Sequence, residues 1–129
     1  MTDISKNAEL QQSCITAVMP SYFDKANSQL KEGDICFYSE YDGIRKDFHY
    51  ADGIYIIMNI DGILYPKCKV YTMTDAKTFE DYDEPFCNML KLENYCKDGK
   101  STELLIIGNI DNDEYMLSKE YAIANYSVV

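Results

Sequence analysis

His49 is the single histidine of the chain, so any Cys–His nucleophile pair or imidazole-bearing metal site must be built around it. A thiolate nucleophile needs an adjacent base to take its proton. Five cysteines, Cys14, Cys36, Cys68, Cys87 and Cys96, are available as partners, and none stands at a diagnostic spacing. His49 lies between Phe48 and Tyr50 in a run that reads as a strand, so its expected role is that of a half-exposed strand residue. Neither the GxSxG elbow of hydrolases nor the HExxH helix of zinc proteases occurs. Zinc favours Cys and His at short paired spacings, and the nearest cysteine pair, Cys87 and Cys96, is nine residues apart. Asp111-Asn112-Asp113-Glu114 offers oxygens of the kind calcium takes, but no glycine follows to turn the loop, and a solvated turn or helix cap is expected. All six glycines are isolated and four follow aspartate, which leaves no phosphate-cradling loop. These residues predict no catalytic group, no metal site and no cofactor.

What the sequence supplies in excess is carboxylate. Twenty-two acids against twelve bases give a net charge of −10 at pH 7. Such a chain repels a phosphate backbone and an anionic membrane, so neither direct nucleic-acid binding nor membrane binding is expected. The complementary partners are a basic protein surface or divalent cations, and the first is the one expected here. In its sharpest form, acids on one face imitate nucleic acid and fill the basic groove of a host nucleic-acid-handling protein, as an inhibitor carried by a phage or other mobile element would. The candidate partner-binding residues are Glu40, Asp42, Asp47 and Asp52 around the first two turns, and Glu80, Asp81, Asp83 and Glu84 further on. A solvated surface is the competing role for all eight. Twelve tyrosines without a tryptophan suit half-buried strands or contact surfaces, so a structural subunit forming a homo-oligomer is the second expectation.

The elements that must position these residues follow from pattern. Residues 5–19 read as a helix, capped by Ser5 or Asn7, with Ile4, Ala8, Ile15, Val18 and Met19 near one face; Gln11 interrupts the stripe and Pro20 ends it. Ser21-Tyr22-Phe23-Asp24 resembles a capping box opening a short helix or turn toward Leu30. Ile35–Tyr38, Phe48–Tyr50, Ile54–Asn59 and Ile63–Tyr65 continuing through Cys68–Thr72 read as strands. Asp42-Gly43, Asp52-Gly53 and Asp61-Gly62 punctuate them, and such pairs favour tight hairpins. Pro66 cannot donate to a ladder and marks an edge or a bulge. Residues 78–84 read as an exposed acidic loop. Asp83 and Pro85 would open a helix carrying Phe86, Met89 and Leu90 inward, with Asp98-Gly99 ending it or forming another hairpin. Leu104–Ile110 reads as a buried strand, and the tail from Asp111 fits helix or strand.

One stretch resembles a known family. Leu30-Lys31-Glu32-Gly33-Asp34-Ile35, then Asp52-Gly53-Ile54-Tyr55-Ile56-Ile57, then Ile60-Asp61-Gly62-Ile63-Leu64 leading to Lys67, is similar to the peptidase domain of LexA-like self-cleaving repressors. Leu105-Ile106-Ile107-Gly108 resembles a later strand of that family, so the likeness spans about residues 24–110. It implies a β-rich fold with Lys67 in the place of the general base. The place of the nucleophilic serine is held by Lys25, while Ser28 falls three positions late with no methionine after it. The resemblance therefore implies a catalytically inactive relative.

The predicted fold class is α+β in one domain over residues 1–129: an N-terminal helix packed on a mainly antiparallel β-sheet or small barrel-like meander, helical to about 32 and β-rich from about 33. The polar start lacks a secretory apolar core and five irregularly spaced cysteines suit reduced thiols, so a cytoplasmic location is expected.

Overall fold

In the computed structural model, which describes residues 20–39, 52–73 and 78–126, the chain is organised by β-branched and aromatic runs with tight turns between them. β1 (Asp34–Tyr38), β2 (Gly53–Ile60), β3 (Ile63–Met73), β4 (Thr78–Asp81) and β5 (Leu104–Asn109) form one antiparallel sheet in the order β4-β3-β2-β1-β5. The meander read from the sequence over about Ile35 to Thr72 is present as β1 to β3, β4 extends it where a loop was expected, and β5 returns to flank β1. The sheet is open, with β4 and β5 at its edges, so the barrel-like alternative does not hold. The predicted helix over residues 5–19 and the strand around His49 lie outside the described residues.

Turn chemistry fixes the longest hairpin. Asp61 and Gly62 both sit at positive φ, 54° and 84°, as the type I′ turn between twisted strands demands. Asp98 and Gly99 repeat the pair at 55° and 81°, so this site is a hairpin turn rather than a helix end. Gly53 is required for a different reason. A Cβ there would lie 1.9 Å from the Val70 carbonyl oxygen, where β2 and β3 pass closest.

Both faces of the sheet are covered. On the first, Cys36, Tyr38, Tyr55, Ile57, Cys68 and Leu104 pack with Leu30, Leu92 and Tyr95 from the connecting segments. Tyr38, Tyr55 and Tyr95 meet edge-on with centroids 5.8, 5.8 and 6.1 Å apart, and such pairs add about 0.5–1.5 kcal/mol each beyond burial. These three tyrosines are therefore core residues. On the second face, Ile35, Ile54, Val70 and Phe79 pack with Ala122. Strand alternation is offset by irregularities opposite Ile54/Tyr55 and Ile35/Cys36; the first brings Cys68 and Tyr71 to the same face despite their odd spacing.

Several local readings change. Residues 20–30 form turns and isolated bridges, with Phe23 opposite Gln29 and Lys100. Asp24 explains why: its Oδ1 accepts the N–H groups of Ala26 and Ser28 at 2.9 and 2.8 Å, which closes a turn instead of starting a helix. The segment expected as a helix after Pro85 is two short 3₁₀ turns, Phe86–Asn88 and Leu92–Tyr95, and it buries Leu92 and Tyr95 while Phe86 stays 57% exposed. The tail is helical, with α1 (Ile110–Asp113), a 3₁₀ turn and α2 (Lys119–Asn125), and Met116, Leu117, Tyr121 and Ala122 from its later part cover the second face. No helix among the described residues is long and apolar enough to cross a membrane.

Candidate interaction surfaces

Of the acids at 80–84, Glu80 and Asp81 lie on a strand instead of a loop, while Asp83 and Glu84 follow it in non-regular backbone. Thr78–Asp81 is strand β4, held to β3 from Val70 to Met73, and the correction follows from Phe79, whose buried ring joins the second-face core. After β4 the chain continues along β3, with Tyr82 N–H donating to the Lys69 carbonyl and Glu84 N–H to that of Cys68. Glu84 Oε1 in turn accepts the Cys68 N–H at 3.0 Å, occupying a donor on the β3 edge. Burial pushes the Glu84 carboxyl up, against the opposing pull of that hydrogen bond and of Lys67. Asp83 behaves oppositely. Its Oδ1 takes Lys67 Nζ at 2.9 Å and Lys69 Nζ at 3.1 Å, and these two bonds hold it below the ordinary carboxylate range. Lys67, the base position in the family resemblance, is thus tied to Asp83.

Glu80 and Asp81 hold the C-terminal helix. Asp81 Oδ1 accepts the backbone N–H of Lys119 at 2.8 Å and Glu80 lies 3.9 Å from the Lys119 ammonium. Ser118 completes the start of α2 by accepting from Tyr121 N–H. Each of the four acids therefore has an intramolecular partner, although Asp83 keeps a 71% exposed side chain. Asp52 sits half-buried before β2, where its carbonyl accepts from Thr72 N–H. Glu40, Asp42 and Asp47 lie outside the described residues.

A second acidic segment lies where the sequence predicts a solvated turn or helix cap. Between Ile110 and Tyr126 there are four acids and one base, and that base, Lys119, is engaged by Glu80 and Asp81. Asp113 is turned inward, its Oδ2 accepting Asn109 N–H at 3.0 Å. Asp111, Glu114 and Glu120 are exposed, with no ion pair among the described residues. In the same segment Tyr115 and Ile123 remain 64% and 55% exposed. The charge imbalance of 110–126 was visible in the sequence; the exposure of the two apolar side chains was not, because it depends on Ala122 being the α2 residue that enters the core.

A third feature is a concavity of about 430 Å³ beside the β2–β3 turn. Tyr22, Leu30, Ile63 and Leu64 provide its apolar lining. Lys31 with Glu32 and Lys91 with Glu93 provide its charges.

Comparison with protein-family models, with curated proteins and with solved structures returns no match.

Proposed function

We propose that this protein is a non-enzymatic interaction module that docks its acidic surface on a basic surface of a nucleic-acid-handling protein. The observation that carries this reading is that the C-terminal segment 110–126 exposes Asp111, Glu114 and Glu120 together with the large apolar side chains of Tyr115 and Ile123. An aromatic and an aliphatic anchor exposed in the same segment as three acids have the composition of a contact region, with apolar groups for affinity and like charge for steering. The net charge of −10 extends the attraction beyond the contact itself and accelerates encounter with a cationic partner. In this role the protein competes with nucleic acid for the partner's groove. Glu80, Asp81, Asp83 and Glu84 contribute chiefly by shaping the sheet edge and fixing α2, with Asp83 adding exposed charge.

The test is affinity capture from a lysate at low and high salt, with the wild-type chain and with Glu114→Lys/Glu120→Lys in parallel. A cationic protein retained at low salt, released at high salt and lost on charge reversal supports the reading. Retention indifferent to both salt and charge reversal overturns it.

A further inference from the structure

The β2–β3 hairpin reaches beyond the rest of the sheet. β1 pairs with β2 only from Gly53 to Ile56, and β4 pairs with β3 only from Val70 to Met73. Beyond these limits the two strands pair, among the described residues, with each other alone, from Ile57↔Pro66 to the turn. Gly33 N–H caps the Ile57 carbonyl, and Glu84 occupies the β3 edge as far as Cys68. Pro66 then presents no N–H, so strand addition along β3 is blocked. Ile63 is 40% exposed, and Tyr65 packs edge-on against Phe86, itself 57% exposed, with centroids 5.5 Å apart. Asp61 is the one charged residue from Ile57 to Pro66.

Electrostatics selects the occupant. Two copies of a chain of net charge −10 meet only where little of that charge is carried. The arm and the adjoining concavity form such a patch: Lys31 and Lys91 cancel Glu32 and Glu93, which leaves Asp61. The patch also has a projecting turn beside a recess of about 430 Å³, and a two-fold contact requires a surface complementary to itself. We propose that the arm and its concavity form a homodimer contact, in which the Ile63 tip of each copy enters the recess of the other and the lysines of one rim face the glutamates of its partner. This surface is distinct from the C-terminal acidic one, and the proposal does not depend on the function proposed above.

Sedimentation equilibrium across a range of concentrations and two salt concentrations tests it. The expected result is a mass of twice 14.9 kDa at high concentration, with association strengthened by salt because screening relieves the repulsion between two acidic chains. Ile63→Asp should weaken the dimer by at least about tenfold and Ile63→Ser by less, with circular dichroism unchanged, while Ile123→Asp leaves it intact. A single-chain mass under all conditions, a dimer that salt weakens, or a dimer indifferent to Ile63→Asp overturns the proposal. A basic partner responds to salt in the opposite sense, so the two contacts fail separately.

Discussion

Replacing Asp24 with alanine should destabilise the protein more than removing any surface acid. Its carboxylate is 1% exposed and takes three backbone N–H groups: Ala26 and Ser28 on Oδ1, and Ile106 on Oδ2 at 2.9 Å. The last is 82 residues away in sequence and lies on the outer edge of β5, a row that otherwise invites pairing with another chain. A hydrogen bond to a charged group is worth about 1.5–3 kcal/mol, and the two exposed turn donors regain water when the carboxylate is removed. The expected loss for Asp24→Ala is about 3–4 kcal/mol, a large share of a domain's total of about 5–15 kcal/mol. Asp24→Asn retains Oδ1 for the turn but points an amide donor at the Ile106 N–H, so it should lose about 1.5–3 kcal/mol. Urea unfolding followed by circular dichroism reads both. For a slope of about 1.5–2 kcal/mol/M the alanine variant's midpoint falls by about 2 M with the slope unchanged. If both variants unfold within about 0.5 kcal/mol of wild type, the edge-capping role assigned to this carboxylate is wrong.

Other expectations follow from the same contacts. Gly53→Ala should cost at least about 3 kcal/mol in thermal or urea unfolding, since the new methyl meets the β3 backbone; a near-wild-type midpoint would refute the close approach of β2 and β3. Carboxyl NMR titration should place Asp83 below the ordinary carboxylate range and Glu84 above it. Asp83 then stabilises the fold above its unfolded pKa and loses this as pH falls through the folded value, whereas Glu84 favours the fold more as acid protonates it, so Glu84→Gln should flatten that opposing slope; the reverse order of titration contradicts the assignment. Alkylation mapped by mass spectrometry should label exposed Cys87 well before Cys68, whose thiol burial pushes up to about 12, and before Cys36, also raised by burial. Labelling of Cys36 or Cys68 in the folded protein at the rate of Cys87 would contradict their burial.

Hairpins and strand positions were legible where one residue pair dictates local geometry. Asp61-Gly62 supplies two positive φ values, and the β-branched runs on either side leave little choice of element. Pro66 was legible as an edge because a missing donor has few places to go. What the sequence hid depends on contacts between distant residues. Phe79 in Thr78–Asp81 looked like one aromatic in an acidic loop, and only the packing of Val70 and Ala122 makes it core. Asp24 looked like a capping-box residue because its true partner, Ile106, belongs to another strand. The acids at 80–84 read as one exposed group by proximity in sequence, yet β-strand alternation and the approach of Lys67, Lys69 and Lys119 distribute them among separate tasks. The Tyr115–Ile123 surface depends on which side of a seven-residue helix enters the core, and the alternating pattern of the tail concealed that choice.

The central claim, that the acidic C-terminal surface is a docking face for a cationic partner, is tested most directly by the salt dependence of affinity for the captured protein. Calorimetric or fluorescence titration against wild type, Glu114→Lys/Glu120→Lys, and the charge-neutral Tyr115→Ser/Ile123→Ser should separate steering from anchoring. Log Kd should rise steeply with log salt for wild type, charge reversal should remove most of this slope, and the serine pair should weaken binding while keeping the slope. A flat salt dependence, or equal affinity for all three proteins, contradicts it.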